Sequence, residues 1–258
     1  MHAQAQWDAS FSQFWTARPY YNPSFAGEGD KILVSGAYKL EWTGIEDAPK
    51  HIFVSADTPI EFFGLRHGIG ILTHNHSIGN ERNSLFAAQY TFKQKIGKGM
   101  LNIGVQAGMH ELNFDAASVH LTADTARNNK KTIKANPADK KTFDLNAGIS
   151  WTSTNFYIGT AAMHINQPSF YAMNNPASQG AAANDSTLSK IPLSYNFMAG
   201  CNITLFRPLE IQPMFFSLIF FFHTRLQPAL RMVYLVEAPA GASWRGQDGY
   251  SFFVAVII

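Results

Sequence analysis

Hydrophobic and polar residues alternate along several stretches of the chain. In residues 101–110 every second residue is apolar, and Asn, Gly, Gln and His occupy the positions between. The same period of two runs through residues 32–42, 143–151 and 194–205. Because a β-strand points successive side chains to opposite faces, each stretch is predicted to be a strand with one apolar and one polar face.

Weaker alternation predicts eight further strands and brings the total to about twelve. These strands are expected near residues 50–58, 65–75, 84–95, 155–165, 208–222, 224–235, 239–246 and 249–258. The total rises to fourteen if the two long connections, at about 112–141 and 167–190, contain a hairpin. The best candidate for a short helix runs from Asp8 to Ala17, before Pro19.

The lengths of these segments favour strands that cross a membrane. The longest apolar stretch, Met214 to Phe222, is interrupted only by Ser217 and is far shorter than the roughly 20 residues that a spanning helix needs. A β-strand crosses a bilayer in about 9–11 residues while it alternates its faces. The sequence therefore predicts an all-β fold, a transmembrane antiparallel β-barrel of about 12–14 strands.

Two further features agree with a barrel. The polar faces are rich in Gly, Ser, Ala and Asn, which suit the crowded interior of a modest barrel. Trp42, Trp151 and Trp244 lie near the ends of alternating segments, as in an aromatic girdle at the membrane–water boundary. They also fit the core of a soluble β-sandwich, because alternation alone does not say which face meets water.

The near-continuous apolar run from Phe215 to Phe222 requires bulky aromatic side chains on the inward face of its strand.

Composition narrows the classes of function. Charged residues make up 15% of the chain and aromatic residues 14%, and the mean hydropathy of −0.09 argues against a helical membrane protein. The formal net charge of +2 gives no overall field that would attract nucleic acid, so no nucleic-acid partner is expected. With Cys201 as the single cysteine, a disulfide framework is excluded.

Four short motifs occupy the first fifty residues. They are Phe11-Ser12-Gln13, then Tyr20-Tyr21-Asn22-Pro23-Ser24-Phe25-Ala26-Gly27, then Trp42-Thr43-Gly44-Ile45, and then Ala48-Pro49-Lys50. Their order resembles the opening of the PorP/SprF family of the type IX secretion system. The residues that carry the resemblance are taken as structural or partner-binding, and Gly44, Ala48 and Pro49 are expected to shape a turn between the first two strands.

The resemblance implies a protein of the bacterial outer membrane that takes part in type IX secretion and, in relatives, in gliding motility. Family members help to export or display specific surface proteins by binding protein partners. The implied partners are outer-membrane lipid, other type IX components and a secreted or surface adhesin, with no cofactor. A passive porin or small-solute transporter is the alternative function, and a soluble β-domain that binds a ligand is a third.

The N-terminal region is expected to be separate from the barrel. Ala3-Gln4-Ala5 has the small-residue pattern of a signal-peptide cleavage site, so the chain is expected to begin with the end of a signal peptide. Pro19 and Pro23 keep the following residues out of a long helix. We expect residues 1–27 to contain this remnant and a plug-like segment, and residues 28–258 to form the barrel.

No reactive motif stands out, and the sequence does not predict an enzyme. The nearest approach to a metal site is His74-Asn75-His76, where both imidazoles share one face of a strand but no third ligand is apparent. His51, His67, His110 and His164 are expected to be scattered over the interior or the rim. We therefore predict no catalytic, cofactor-binding or metal-binding residues.

Overall fold

The computed structural model describes most of the chain. The described residues are 8, 11–41, 44, 48–79, 81–114, 140–171, 188–206, 209–220, 223–234, 238–245 and 249–254. Ala3 to Ala5, expected to belong to a signal peptide, Trp42, expected in an aromatic girdle, and residues 115–139 of the first long connection lie outside them.

Helical structure in the described residues is confined to short turns near the N-terminus. A 3₁₀ turn spans Phe14–Ala17, one α-helical turn (α1) spans Arg18–Tyr21, and a second 3₁₀ turn spans Pro23–Phe25. The expected helix from Asp8 to Ala17 was therefore wrong in its bounds. Proline is tolerated in the first turn of a helix, so Pro19 lies within α1 and does not end the helical structure before it. Among the described residues, no helix is long and apolar enough to cross a membrane.

The rest of the described chain is mainly β-strand. The strands are β1 Leu33–Leu40, β2 Lys50–Phe62, β3 Leu65–Ile78, β4 Glu81–Ile96, β5 Gly99–Phe114, β6 Lys140–Thr152, β7 Phe156–Met163, β8 Ser169–Tyr171, β9 Leu188–Lys190, β10 Ser194–Cys201, β11 Ile203–Phe206, β12 Leu209–Phe220, β13 His223–Tyr234, β14 Ala238–Arg245 and β15 Gly249–Val254.

Twelve of these strands form one antiparallel sheet in the order β1-β2-β3-β4-β5-β6-β7-β10-β12-β13-β14-β15. The all-β prediction and the expected number of strands are confirmed. The short strand β11 pairs only with β12, and β8 pairs with β9 in a separate two-stranded sheet within the second long connection. Within the described residues no ladder joins β1 to β15, so the sheet is not closed.

The stretch 194–205, expected as one strand, is divided at Asn202. The backbone N–H of Asn202 donates to the carbonyl oxygen of Asn155 at 2.8 Å, in the connection between β6 and β7. This bond continues the register of the β10–β7 ladder one residue beyond Cys201 and Phe156, where the ladder ends. Strand β11 then pairs with β12 alone and contains a register shift between Thr204 and Phe206. Alternation persists across such a break, which explains why the pattern did not reveal it.

The faces of the sheet are reversed relative to a soluble protein. In β5, the Val105 side chain is 46% exposed on the outer face, whereas its neighbour Gln106 is 1% exposed on the inner face. The same exchange of exposed apolar and buried polar residues runs through β6, where Leu145 and Ile149 are exposed and Asn146 is buried. A large exposed apolar surface of this kind is favourable against hydrocarbon and unfavourable against water.

The sheet curves around residues 11–27. These residues contact inward-facing side chains of strands from β2 to β14. The Gly27 N–H donates to Asp57 on β2, and the Ser243 hydroxyl on β14 donates to the Ser12 carbonyl oxygen. The buried apolar cluster is built mainly from this segment and the strands around it. The core of the molecule is therefore the contact between the N-terminal segment and the inner face of the sheet.

Candidate functional site: the enclosed N-terminal segment

The enclosed segment, residues 11–27, turns three times within a short length. Pro19 and Pro23 stand in the first turns of α1 and the second 3₁₀ turn, where a missing N–H costs no helical hydrogen bond. Between them Asn22 is extended and caps the second 3₁₀ turn by accepting a hydrogen bond from the backbone N–H of Ser24 at 3.0 Å. The two prolines and this cap explain why the motif from Tyr20 to Gly27 folds compactly.

Asn22 also attaches the segment to the sheet. Its side-chain Nδ2 donates to the carbonyl oxygens of Ile149 on β6 at 3.4 Å and Thr160 on β7 at 3.2 Å. Its Oδ1 accepts from the Ser24 hydroxyl at 2.7 Å, and Ser24 Oγ lies 2.8 Å from Ser150 Oγ on β6. Because Asn22 is fully buried, each of these polar contacts replaces a lost contact with water.

Glycines on the strands make room for the segment. A Cβ atom at Gly104 on β5 would overlap the backbone of Pro23 and Ser24, and one at Gly148 on β6 would overlap the Asn22 side chain. Close backbone approach of this kind is a common reason for glycine within a strand. The small inward residues that the sequence shows are therefore explained by the segment that they accommodate.

The end of the segment fits against β2 and β3 in the same way. Gly27 has a φ of +63° and its N–H donates to Asp57 Oδ2 on β2 at 2.8 Å. A Cβ atom at Gly27 would lie 2.6 Å from the Cα of Gly68 on β3. Both the left-handed backbone and the lack of space require glycine at position 27.

Aromatic side chains fill one side of the interior. The Phe11 ring lies 5.4 Å from the ring of Phe53 on β2 and 5.9 Å from Tyr20, and its backbone N–H donates to the Tyr21 hydroxyl at 2.9 Å. Tyr20 in turn packs edge-on against Phe53 and His74. Aromatic pairs at these distances stabilise beyond their buried area, by about 0.5–1.5 kcal/mol each.

A second aromatic group explains the apolar run of β12. Phe216 stacks on Phe14 with ring centroids 5.4 Å apart and lies 4.7 Å from Tyr21. Phe216 and Met214 face inward and are buried. The prediction that this strand presents bulky side chains to the interior is confirmed for the described residues, and the segment supplies their apolar partners.

Polar side chains of the strands bind the carbonyl groups of the segment. Gln89 Nε2 donates to the Pro19 carbonyl oxygen at 2.6 Å, and the Thr91 hydroxyl donates to that of Pro23 at 2.7 Å. On the other side of the interior, Gln227 Nε2 and the Ser243 hydroxyl both donate to the Ser12 carbonyl oxygen at 2.9 Å. Backbone groups that cannot join a helix or strand are thus satisfied by the inner face.

The one arginine of the segment is also paired. Arg18 forms an ion pair with Glu28 at 2.9 Å, and its guanidinium lies 5.5 Å from the Phe25 ring and 5.2 Å from the ring of Tyr157 on β7. Distances within about 6 Å allow cation–π attraction. A charge inside the sheet is thus held between an acid and two aromatic faces.

The remaining motif residues form local hydrogen bonds. In the enclosed segment, the carbonyl oxygen of Gln13 accepts from the Thr16 N–H at 3.1 Å. Gly44, Ala48 and Pro49 lie in the connection between β1 and β2, where the Pro49 carbonyl accepts from the N–H of Glu41 at 3.0 Å. These positions agree with a role in the turn, and a partner-binding role of the motif stays a prediction.

The histidines are less scattered than the sequence suggested. His51 stacks on its cross-strand neighbour His76 at 4.2 Å, and His51 Nδ1 lies 3.3 Å from His74 Nε2. His74 and His76 share a face of β3, but within the described residues His51, His74 and His76 do not form a group of ligand atoms close enough to hold one ion. A separate buried group joins His110 and His164 to Asp144. Their ring centroids lie 5.8 Å apart, so the expectation that these two are scattered was wrong.

Strand pairing brings this second group together from distant parts of the sequence. His110 and Asp144 lie on the paired strands β5 and β6, and His164 directly follows β7, which pairs with β6. The long connection between β5 and β6 hides the register of that pair in the sequence. The available signal was that His110 and Asp144 both occupy polar, inward-facing positions of their alternating segments.

Comparisons with known proteins support the relationship that the motifs indicate. A family model described as type IX secretion system membrane protein PorP/SprF matches residues 3–258, which include both the enclosed segment and the sheet. The comparisons with curated proteins and with solved structures return no match. Because the family match spans nearly the whole length, the chain belongs to the PorP/SprF family of type IX secretion system membrane proteins.

Proposed function

We propose that this membrane protein works in the bacterial outer membrane as a type IX secretion component that binds protein partners, with its interior occupied by its own N-terminal segment. The partners would be other secretion components and a secreted or surface adhesin, including adhesins of gliding motility. Family membership and the apolar outer face support the membrane location.

The burial of the enclosed segment favours this proposal over a passive porin. Phe14, Asn22, Ser24 and Phe25 are almost inaccessible to solvent between the strands. A porin needs a polar, water-filled interior for solute passage. Here the inner face is instead used to bind a peptide segment, which favours a plugged barrel that displays its rim to partners.

The plug proposal also assigns the domains. Residues 11–27 would form the plug, and the strands from Leu33 onward would form the barrel wall. Strands β1 and β15, which end the sheet, would pair with each other in the membrane, because unpaired backbone groups are costly in hydrocarbon.

Affinity isolation from outer membranes tests the proposal. The tagged chain is extracted from the source bacterium in mild detergent, and the bound proteins are identified by mass spectrometry. We expect type IX components and a secreted surface protein to co-purify, and deletion of the gene to remove that protein from the cell surface. A chain that purifies alone and gives stable ion conductance in planar bilayers would favour the porin instead.

A further inference from the structure

Three side chains that could ligate a metal meet on the inner face of the sheet. His110 is 5% exposed, Asp144 0% and His164 2%. His164 Nδ1 lies 2.9 Å from Asp144 Oδ1, and His110 Nε2 lies 3.6 Å from Asp144 Oδ2. One ligand atom from each residue lies within 4.8 Å of the other two. This His–Asp–His cluster is near the end of the sheet that carries the long connection between β5 and β6.

The His110 ring leaves a buried nitrogen without a partner. Its Nδ1 lies 3.4 Å from Asn83 Oδ1, which fixes the orientation of the ring. Its Nε2 faces Asp144 Oδ2 at 3.6 Å, and no hydrogen-bond partner within the described residues reaches Nε2. This separation is too long for a good hydrogen bond and suits two ligands that share one cation.

Each of the three candidate ligands also has an outer partner. His164 Nε2 lies 3.2 Å from Asp8 Oδ1, and Asn146 Nδ2 donates to Asp144 Oδ2 at 2.9 Å. With the bond between His110 and Asn83, all three groups are oriented by a second residue. Metal-binding histidines commonly hold their outer N–H against a carboxylate or carbonyl oxygen in this way.

We propose that His110, Asp144 and His164 bind a divalent transition-metal ion, with Zn²⁺ the best fit, on the inner face of the sheet. Two imidazole nitrogens and one carboxylate suit zinc, which takes ligands of this kind at about 2.0–2.2 Å in tetrahedral geometry. A water molecule would complete the coordination. Through the contact between His164 and Asp8, the ion would also hold Asp8 close to the end of β7.

A proton competes with the metal ion for this site. Burial disfavours a charged His164 ring, but the Asp8 and Asp144 carboxylates outweigh burial and raise the pKa of His164 to about 10 in the metal-free chain. His164 directly follows β7, outside the strands. Because metal binding releases the ring proton, binding is best measured at mildly alkaline pH.

Cobalt titration of the purified full chain tests the proposal. The protein carries a tag without histidine, is stripped with EDTA in detergent at pH 8, and is titrated with Co²⁺ and then Zn²⁺. We expect one equivalent of Co²⁺ to give visible absorption bands of a tetrahedral site, and one equivalent of Zn²⁺ to remove them. In His110→Ala and Asp144→Asn we expect at least tenfold weaker binding, and in the control His76→Ala unchanged binding.

Both variants must retain the native strand content, measured by circular dichroism. If His110→Ala does not fold, Asp144→Asn still tests the site, because it keeps the size of the side chain. Absence of stoichiometric Co²⁺ uptake by the unchanged chain would overturn the proposal and leave a protonated His164 between two carboxylates. Equal binding by Asp144→Asn, or loss of binding in His76→Ala, would also overturn it.

Discussion

Asn22 connects the enclosed segment to two strands at once. Its buried amide donates to the carbonyl oxygens of Ile149 and Thr160 and accepts from Ser24. Few other side chains offer two donors and an acceptor at this length, and the glycines at 148 and 159 leave space for an amide but for little more.

Replacing Asn22 with Ala is therefore expected to destabilise the protein by about 1–3 kcal/mol, because buried polar groups of Ser24 and the strands lose their partner. The measurement is the free energy of unfolding in detergent, followed by tryptophan fluorescence. Asn202→Ala is the matched control, since Asn202 is exposed and makes only a 3.5 Å side-chain bond to the Thr154 carbonyl. Equal stability of both variants would mean that the segment does not depend on Asn22.

The glycine at position 104 gives a second test at the residue scale. A methyl group in Gly104→Ala would collide with the backbone of Pro23 and Ser24, so the enclosed segment would have to move. We expect the variant to fold but to expose the segment to added protease. Gly36→Ala on β1 is the control, because its new Cβ would meet only the Phe53 carbonyl oxygen, at 3.7 Å. Identical protease resistance in the two variants would contradict the packing described for Gly104.

At the scale of elements, the aromatic residues of the enclosed segment pack against those of β12. The aromatic run of β12 breaks the polar pattern expected of an inner face, and the aromatic residues of the N-terminal motif lie far from it in sequence. Stacking between Phe14 and Phe216 accounts for both features, because each aromatic group is the buried partner of the other.

A double-mutant cycle on Phe14 and Phe216 measures this contact. Phe216→Ala alone is expected to cost about 3–5 kcal/mol of unfolding free energy, because it opens a cavity in the buried cluster. The pair is expected to show a coupling of about 0.5–1.5 kcal/mol. Phe86→Ala, on the exposed outer face of β4, is the control and should cost less. Strict additivity of the Phe14 and Phe216 substitutions would argue that the rings do not interact.

Elements were predictable where alternation is uninterrupted. The period of two located β5 and β6 closely, because one face meets apolar surroundings and the other a polar interior. It missed the break at Asn202, which depends on where the neighbouring strand β7 begins, and it misplaced the helical turns of the segment, which depend on tertiary packing. The His–Asp–His cluster was not predictable, because it requires the register between strands that long connections separate.

At the scale of the whole molecule, the sheet has two contrasting faces. The outer face is apolar and exposed, and the inner face is polar and bound to the chain's own N-terminal segment. The sequence indicated both faces but not which one meets solvent. The enclosed segment shows which face is inside, because the strand residues that bind it lie on the polar face of the sheet.

The most direct test of this arrangement is spin-label accessibility in lipid vesicles. Cys201 is replaced with Ser, and labels are attached at Val105→Cys on the outer face of β5 and at Lys98→Cys in the exposed turn before it. We predict that the label at 105 is relaxed by lipid-soluble oxygen and shielded from a water-soluble nickel reagent, with the reverse at 98. A label at 105 that the nickel reagent reaches as readily as at 98 would contradict the claim that hydrocarbon covers the outer face.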